Sequence, residues 1–187
     1  MIHSIRFTVV LDTNVIYPVV IRDLLFWFAH YDLYTIKWSK HIFDEWRSVM
    51  QRKEVEPKRI ESRITKANTA FPDALVNNYE PLIKTLTLPD EKDRHVLAAA
   101  IKADASLIIT HKLKDFPKDV LELYGIKAKL PDDFLVDIID LNAEMAIEAF
   151  REMVQNKKKP EMDEYEMLNT LRKNELTQTA NYLHALI

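Results

Sequence analysis

The chain has 187 residues, 48% of them hydrophobic, which suits one compact domain with a small appendage. Its formal net charge is −3, so the overall charge does not indicate a nucleic-acid-binding protein. A local basic groove can still lie on a protein whose overall charge is negative. The absence of cysteine excludes disulfides, thiolate zinc sites and a cysteine nucleophile, and it fits a reducing compartment. No apolar run approaches the roughly 20 residues that span a bilayer, and the start has no signal-peptide pattern, so we predict a cytoplasmic protein without membrane contact.

Glycine occurs once, at Gly125, and this scarcity excludes several catalytic motifs. The sequence contains no GxGxxG turn, no phosphate-binding P-loop and no GxSxG elbow. Its six histidines form no HExxH motif and no pair four residues apart. Carboxylates and hydroxyls must therefore carry any chemistry.

Short apolar runs alternate with amphipathic stretches up to about residue 130. The runs predict strands at 7–11, 34–38, 106–110 and 126–130, and a short strand or an extended piece at 85–88. The amphipathic stretches predict helices at 18–29, 40–53, 57–71, 91–103 and 118–124. Strands separated by helices imply parallel crossover connections, so we predict an α/β fold, a three-layer α/β/α sandwich with a central parallel sheet.

From about Leu141 the sequence has only helical character. Amphipathic stretches at 142–155, 163–173 and 177–187 show no strand pattern between them. We therefore predict an α/β domain over residues 1–140 and a C-terminal helical extension over residues 141–187.

Two aspartates follow predicted strands. Asp12 comes directly after the first strand, and Asp115 lies in the loop after the strand that ends at Thr110. Ligands of open α/β sheets bind at the carboxyl ends of the strands. Either residue alone also fits a simpler interpretation, as a turn or capping aspartate.

Other acidic residues lie on the apolar faces of predicted helices or at their starts. Glu45 lies beside a buried stripe of the second helix, and Asp93 shares the inward face of a later helix, which Asp90 begins. A carboxylate on a buried face costs several kcal/mol unless it is paired or binds a cation. A salt bridge from Glu45 to Arg47 or Arg52, and helix capping by Asp90 or Asp93, are the structural alternatives.

These acidic residues could all converge on one edge of the sheet. A cluster of oxygen ligands without histidine or cysteine is typical of a site for a hard cation, Mg²⁺ or Mn²⁺. Without a cation, the carboxylates would raise one another's pKa values, and a divalent ion would hold them ionised. The pattern therefore predicts a metal site that contains Asp12.

Three segments together resemble the PIN domain family, which includes VapC-type toxin ribonucleases. They read VVLDTNVIY, FDEW and LPDEKDRHVLAAAIKADASLIITHKLKDFP, and the resemblance spans roughly residues 5–130. It implies an α/β/α nuclease domain and a metal-dependent endoribonuclease that hydrolyses single-stranded RNA, as the toxin of a toxin–antitoxin pair. Such toxins typically pair with an antitoxin protein and often form homodimers.

The resemblance also implies site residues. Four acidic positions match catalytic residues and metal ligands of the family: Asp12, Glu45, Asp93 and Asp115. Supporting positions are Asn14 beside the first acid, Thr110 at the strand end, and Asp90 at the helix start. Lys112 departs from the family, in which many members have Asp or Asn there; this puts more weight on Asp115, and Lys112 could instead touch a phosphate.

The proposed RNA path follows basic side chains, each of which also fits a solvated helix face: Arg47, Arg52, Lys53, Arg59, Arg63 and Lys66. A haloacid-dehalogenase-type phosphatase would also begin with an aspartate after a buried strand, but it needs a second aspartate where this chain has Asn14. A second alternative is a non-catalytic PIN-like module that binds RNA or protein.

Overall fold

A computed structural model describes residues 7–187, and in it five parallel strands form one sheet. The strands are β1 (Thr8–Leu11), β2 (Thr35–Ser39), β3 (Leu75–Val76), β4 (Leu107–Ile109) and β5 (Lys127–Lys129). Their order across the sheet is β3-β2-β1-β4-β5, and each neighbouring pair is parallel. This confirms the predicted fold class, an α/β/α sandwich on a parallel sheet followed by C-terminal helices.

Helices connect these parallel strands. They are α1 (Thr13–Ile16), α2 (Val19–His30), α3 (Lys40–Arg52), α4 (Pro57–Ala70), α5 (Glu80–Ile83), α6 (Arg94–Lys102) and α7 (Lys118–Glu122). Helix α6 packs on β1, β2 and β4, and it buries Val96, Leu97 and Ala100 completely. The central strand β1 is equally apolar, with Val9 and Val10 fully buried, so the core of the sheet lies between β1 and α6.

Residues 85–88, predicted as a short strand or an extended piece, do not form a strand, since this segment has no regular secondary structure. Leu86 and Leu88 are buried while Thr85 and Thr87 are exposed. Burial therefore alternates along the segment as it does in a strand, although the segment pairs with no strand among the described residues. The edge strand is instead β3, whose two residues are too few to give a periodic pattern in the sequence.

The described residues form two compact units. One contains residues 7–17 and 35–129, and the other contains Pro18–Tyr34 and Leu130–Ile187. The units thus group the chain differently from the predicted domains 1–140 and 141–187. That domain division stays a prediction, and residues 1–6 of its first part lie outside the described residues.

The second unit is helical, with α2 joined by α8 (Pro131–Leu141), α9 (Ala143–Asn156), α10 (Glu164–Lys173) and α11 (Thr177–Leu186). Helix α2 packs on α9, and α11 packs on both α8 and α10. The Asp132 carboxylate of α8 accepts hydrogen bonds from the backbone N–H groups of Gln178 (3.0 Å) and Thr179 (2.8 Å), and so caps α11. We had not predicted α8, although Pro131 followed by two aspartates is a helix-start pattern.

Within residues 7–187, every helix is too short or too polar to cross a lipid bilayer.

Candidate active site

Adjacent strand ends bring Asp12 and Thr110 together. Leu11 at the end of β1 pairs with Ile109 at the end of β4, so the residues that follow them are neighbours. The backbone N–H of Asp12 donates to the Ile109 carbonyl at 3.1 Å, and the Thr110 hydroxyl donates to Asp12 Oδ2 at 2.7 Å. The carboxyl ends of parallel strands therefore place this pair where α/β folds bind ligands.

Further hydrogen bonds fix the Asp12 carboxylate, which is 3% exposed. Oδ1 accepts from the backbone N–H of Thr13 at 2.6 Å, so Asp12 also caps the short helix α1. Oδ2 accepts a second hydrogen bond from Asn14 Nδ2 at 2.6 Å. Asn14 in turn accepts from the backbone N–H of His111 at 2.9 Å, which ties it to the loop after β4. Asp12 thus caps a helix, as in its simpler interpretation, and also lies at the strand ends where ligands bind.

Asp93 enters the site from a tight turn before α6. Residues Glu91–Asp93 form one turn of 3₁₀ helix, and Asp90 caps it by accepting from the backbone N–H of Lys92 at 2.9 Å. Asp93 makes no capping hydrogen bond and is 4% exposed. Capping therefore explains Asp90 but leaves Asp93 as a buried carboxylate aimed away from the helix end.

Both buried aspartates have raised pKa values. Burial raises the pKa of Asp12; the hydrogen bond from Thr110 opposes this, and the negative charge of Asp93 adds to it. Burial likewise raises the pKa of Asp93; Lys112 opposes this, and the charges of Asp90 and Asp115 add to it. The acids are thus close enough to repel one another, as the sequence had predicted.

Glu45 reaches the site from α3 and is held at both oxygens. Oε2 accepts from the Thr13 hydroxyl at 2.6 Å, and Oε1 lies 3.0 Å from His95 Nε2. Burial works against the charge of Glu45, but the hydrogen bonds from His95 and Thr13 outweigh it and lower its pKa. The alternative salt bridge to Arg47 does not form, because Arg47 pairs with Asp44 and Glu61.

The contact with His95 was missed by the sequence analysis. The His95 ring stacks on His41 with centroids 5.2 Å apart, and His41 Nδ1 makes a short hydrogen bond to the Tyr79 hydroxyl. One signal was available, since His41 precedes Glu45 by four residues and so shares its helix face. His95 gave none, because it lies 50 residues from Glu45 in the chain.

Asp115 lies farther from the cleft around Asp12 than the other predicted acidic residues do. It ends the 3₁₀ turn Leu113–Asp115, is half-buried, and does not line the cleft around Asp12. Its charge nevertheless raises the pKa values of Asp93 and Lys112, so it lies within electrostatic reach of the site. Lys112 lies nearer, with Nζ 3.3 Å from Asp93 Oδ1.

Asp12, Glu45 and Asp93 open onto one cleft of about 660 Å³. Its acidic lining consists of Asp12, Asp44, Glu45, Asp90 and Asp93. Its basic lining consists of Arg52, Lys92 and Lys112. Of the six basic residues predicted to lie along the RNA path, only Arg52 lines this cleft.

Comparisons with known proteins identify the family of the chain. The family described as PIN domain matches residues 8–114, more than half of the chain. The chain belongs to the PIN domain family. The match includes Asp12, Glu45 and Asp93 and ends one residue before Asp115. A second family, described as VapC50 C-terminal domain, matches residues 131–185 of this PIN protein.

One relative of this PIN protein comes from Mycobacterium tuberculosis (strain ATCC 25618 / H37Rv) and is named "Putative ribonuclease VapC50". The two sequences are 39% identical over 109 residues, which cover 56% of this chain and 64% of the relative. The match therefore spans less than two thirds of the relative's length. No solved structure matches the chain.

The donor set of the cleft suits a hard cation. Asp12 and Asp93 are buried carboxylates whose charges oppose each other, and such a pair is stabilised when a divalent ion binds between them. Within residues 7–187, however, no three His, Asp or Glu side chains are arranged to hold a metal. The carboxylate oxygens instead form hydrogen bonds with other side chains of the site, namely those of Thr13, Asn14, Thr110, His95 and Lys112. The carboxylates of this PIN protein are thus the type of ligand that a hard cation prefers. The side chains that now bond to their oxygens must move before these oxygens can coordinate an ion.

The raised pKa of Asp93 predicts a pH-dependent effect of Asp93→Asn on stability without metal. Between the ordinary pKa and the raised one, the carboxyl is ionised in the unfolded chain but protonated in the fold, so wild-type stability falls as pH rises. Asparagine does not titrate. The free energy of unfolding of the variant, relative to wild type, should therefore increase from pH 4 to pH 7.

Urea unfolding in EDTA at several pH values measures this difference. Asp119→Asn, on an exposed acid of α7, is the control and should show no such trend. A difference between Asp93→Asn and wild type that stays constant with pH would contradict the electrostatic description of Asp93.

Proposed function

We propose that this PIN protein is an endoribonuclease that hydrolyses phosphodiester bonds of single-stranded RNA with Mg²⁺ or Mn²⁺, as the toxin of a toxin–antitoxin pair. The observation that carries the proposal is the pair of buried aspartates, Asp12 and Asp93, in a cleft that also has basic walls. The name of the mycobacterial relative, a putative ribonuclease, supports the same reaction.

In this proposal Asp12, Glu45, Asp93 and Asp115 are the catalytic acids and the metal ligands. When bound, a divalent ion supplies Lewis-acid activation of water and stabilises charge on the leaving oxygen. Thr110 and Asn14 orient the Asp12 carboxylate through their hydrogen bonds to Oδ2. Thr13 and His95 fix Glu45 in the same way, so the chain's own side chains preset the geometry of two acids.

The basic residues of the cleft are proposed to bind the RNA backbone. Arg52 and Lys92 are exposed and line the cleft beside the acids. Arg47 is a weaker candidate, because Asp44 and Glu61 already neutralise its guanidinium. Contacts to phosphates release counterions, so binding should weaken as salt concentration rises.

We expect Arg52→Ala to weaken binding of single-stranded RNA several-fold and to lower the slope of log affinity against log salt by about 1. Fluorescence anisotropy with a labelled RNA, in Ca²⁺ or EDTA to prevent cleavage, measures both quantities. Lys66→Ala is the matched control, because Lys66 is exposed on α4 but does not line the cleft. Equal effects of the two substitutions would mean that RNA does not follow this cleft.

A second candidate function is a non-catalytic module that binds RNA or protein. Two observations favour this module. Lys112 contacts Asp93, and the described residues contain no complete set of metal ligands. This candidate predicts RNA binding without cleavage in any metal.

The experiment that separates the two is incubation of an end-labelled RNA pool with purified protein in Mg²⁺ or Mn²⁺, with EDTA as the control. The proposed nuclease cleaves in metal and not in EDTA. Intact RNA under all conditions, from protein shown to be folded and free of partner, would favour the binding module. An antitoxin partner and a homodimer are proposed from the family, and co-purification with the neighbouring gene product and light scattering would test them.

A further inference from the structure

Lys112 places a positive charge among the carboxylates of the cleft. Its Nζ lies 3.3 Å from Asp93 Oδ1 and 3.4 Å from Asp93 Oδ2. Charge-assisted hydrogen bonds between nitrogen and oxygen are typically about 2.7–2.9 Å long. The ammonium therefore donates to both oxygens of Asp93 in a long, two-pronged salt bridge and does not form one short ion pair.

The backbone holds Lys112 in this position. Its N–H donates to Thr110 Oγ1 at 3.0 Å, and the same hydroxyl donates to Asp12 Oδ2 at 2.7 Å. Thr110 is fully buried, so this link is built into the end of β4. Lys112 is thus anchored to the residue that orients Asp12, while its side chain reaches Asp93.

The charges around Lys112 are those of a cation site. Lys112 lines the cleft together with Asp12, Asp90 and Asp93. The Lys112 side chain is 44% exposed, whereas that of Asp93 is 6% exposed. The ammonium therefore lies at the mouth of the cleft and contacts a buried carboxylate.

Few carboxylate oxygens remain for metal ions. Both Glu45 oxygens are occupied, by Thr13 and by His95, and Asp12 Oδ2 already accepts two hydrogen bonds. The two ions of a two-metal site lie only about 3.5–4 Å apart. The Lys112 ammonium, 3.3 Å from Asp93 Oδ1, already neutralises this carboxylate and would repel a second divalent charge there.

We propose that Lys112 takes the place of a second divalent ion, so that the acidic cleft binds one divalent cation per chain. This inference rests on the proposed metal-dependent function, and its test uses metal binding alone, without RNA. It assigns to Lys112 a positioning role, since the lysine fixes both the number of ions and the side of Asp93 that an ion can reach.

The test is titration of the full chain with Mn²⁺. Calorimetry and electron paramagnetic resonance of free Mn²⁺ measure how many ions bind per chain and how tightly. The wild type should bind one Mn²⁺. Lys112→Asp replaces the ammonium with a carboxylate and should bind two. Lys114→Asp is the matched control, because Lys114 is an exposed lysine of the same turn that does not line the cleft, and it should bind one.

Two Mn²⁺ ions in the wild type, or one ion bound with unchanged affinity in Lys112→Asp, would overturn the proposal. Circular dichroism checks that each variant folds. If Lys112→Asp does not fold, Lys112→Met decides, since it keeps most of the aliphatic stem and removes the charge. Binding of a second Mn²⁺ by Lys112→Met supports the proposal, and binding of one Mn²⁺ only overturns it.

Failure of the proposed function gives a different result. In that case the wild type binds no Mn²⁺, or Asp12→Asn binds it as well as the wild type does, and the inference fails together with the function. If Asp12→Asn loses Mn²⁺ while the Lys112 variants behave as wild type, only the role of Lys112 is overturned.

Discussion

Replacing Asp12 with asparagine is expected to reduce RNA cleavage by at least roughly 100-fold. In the proposed function Asp12 binds the metal directly, and loss of a direct ligand should cost no less than the loss of an outer-shell partner. The neutral amide has one oxygen and cannot supply the charge that a divalent ion requires. Initial rates of cleavage of one labelled RNA, at equal protein and metal concentrations, give the ratio.

The Asp12→Asn protein should remain folded. The amide oxygen can still accept from the backbone N–H of Thr13, and the amide N–H can donate to Thr110, whereas the contact with Asn14 is lost. The loss of that hydrogen bond costs about 1–3 kcal/mol, which a typical folded domain tolerates. Asp119→Asn serves as the control with full activity, and cleavage by Asp12→Asn at the wild-type rate would show that the site is elsewhere.

Metal is expected to raise the thermal stability of the wild type. A ligand at 100 times its dissociation constant contributes about 2.7 kcal/mol, or roughly 5–11 °C in the unfolding temperature for a chain of this size. The physical reason is the repulsion between the buried charges of Asp12 and Asp93, which a divalent ion removes. Thermal unfolding in EDTA and in increasing Mn²⁺ measures the shift.

Asp93→Asn is the informative variant for this effect. It removes one charge of the pair, so it should abolish most of the increase caused by Mn²⁺ and should also abolish cleavage. An increase in unfolding temperature as large as that of the wild type would mean that Mn²⁺ stabilises the chain from another site.

The position of the site could be predicted because it depends on strand ends and helix faces. Asp12 follows an apolar strand, Thr110 ends another, and the two strands are adjacent in the sheet. Asp93 precedes an apolar helix face by one turn, and Glu45 lies beside another apolar stripe. Periodicity and strand order are properties of the sequence, so these placements follow from it.

The partners of the acids could not be predicted in the same way. The contact of Glu45 with His95 joins residues 50 positions apart, so it depends on where the fold places α3 and α6. Lys112 stood out as a departure from the family, but its contact with Asp93 depends on a side-chain rotamer. Arg47, one of the two alternative salt-bridge partners considered for Glu45, contacts Glu61 of the next helix, and local spacing does not reveal this contact.

The weakest structural predictions concerned short or composite segments. Strand β3 has two residues, and the alternation of residues 85–88 reflects burial of two leucines in an irregular segment. In residues 85–88, burial and secondary structure do not share one period. Helix α8 was missed although Pro131 begins it and its buried residues, Pro131, Phe134, Leu135, Ile138 and Ile139, follow helical spacing.

The most direct test of the central claim is the chemical nature of the RNA ends that the wild-type protein produces in Mg²⁺ or Mn²⁺. Attack by an activated water leaves a linear phosphate at one end and a hydroxyl at the other, so mass spectrometry of the products should detect no 2′,3′-cyclic phosphate, and EDTA should stop the reaction. Cyclic phosphate ends, or cleavage that continues in EDTA, would contradict hydrolysis by a metal site built on Asp12 and Asp93.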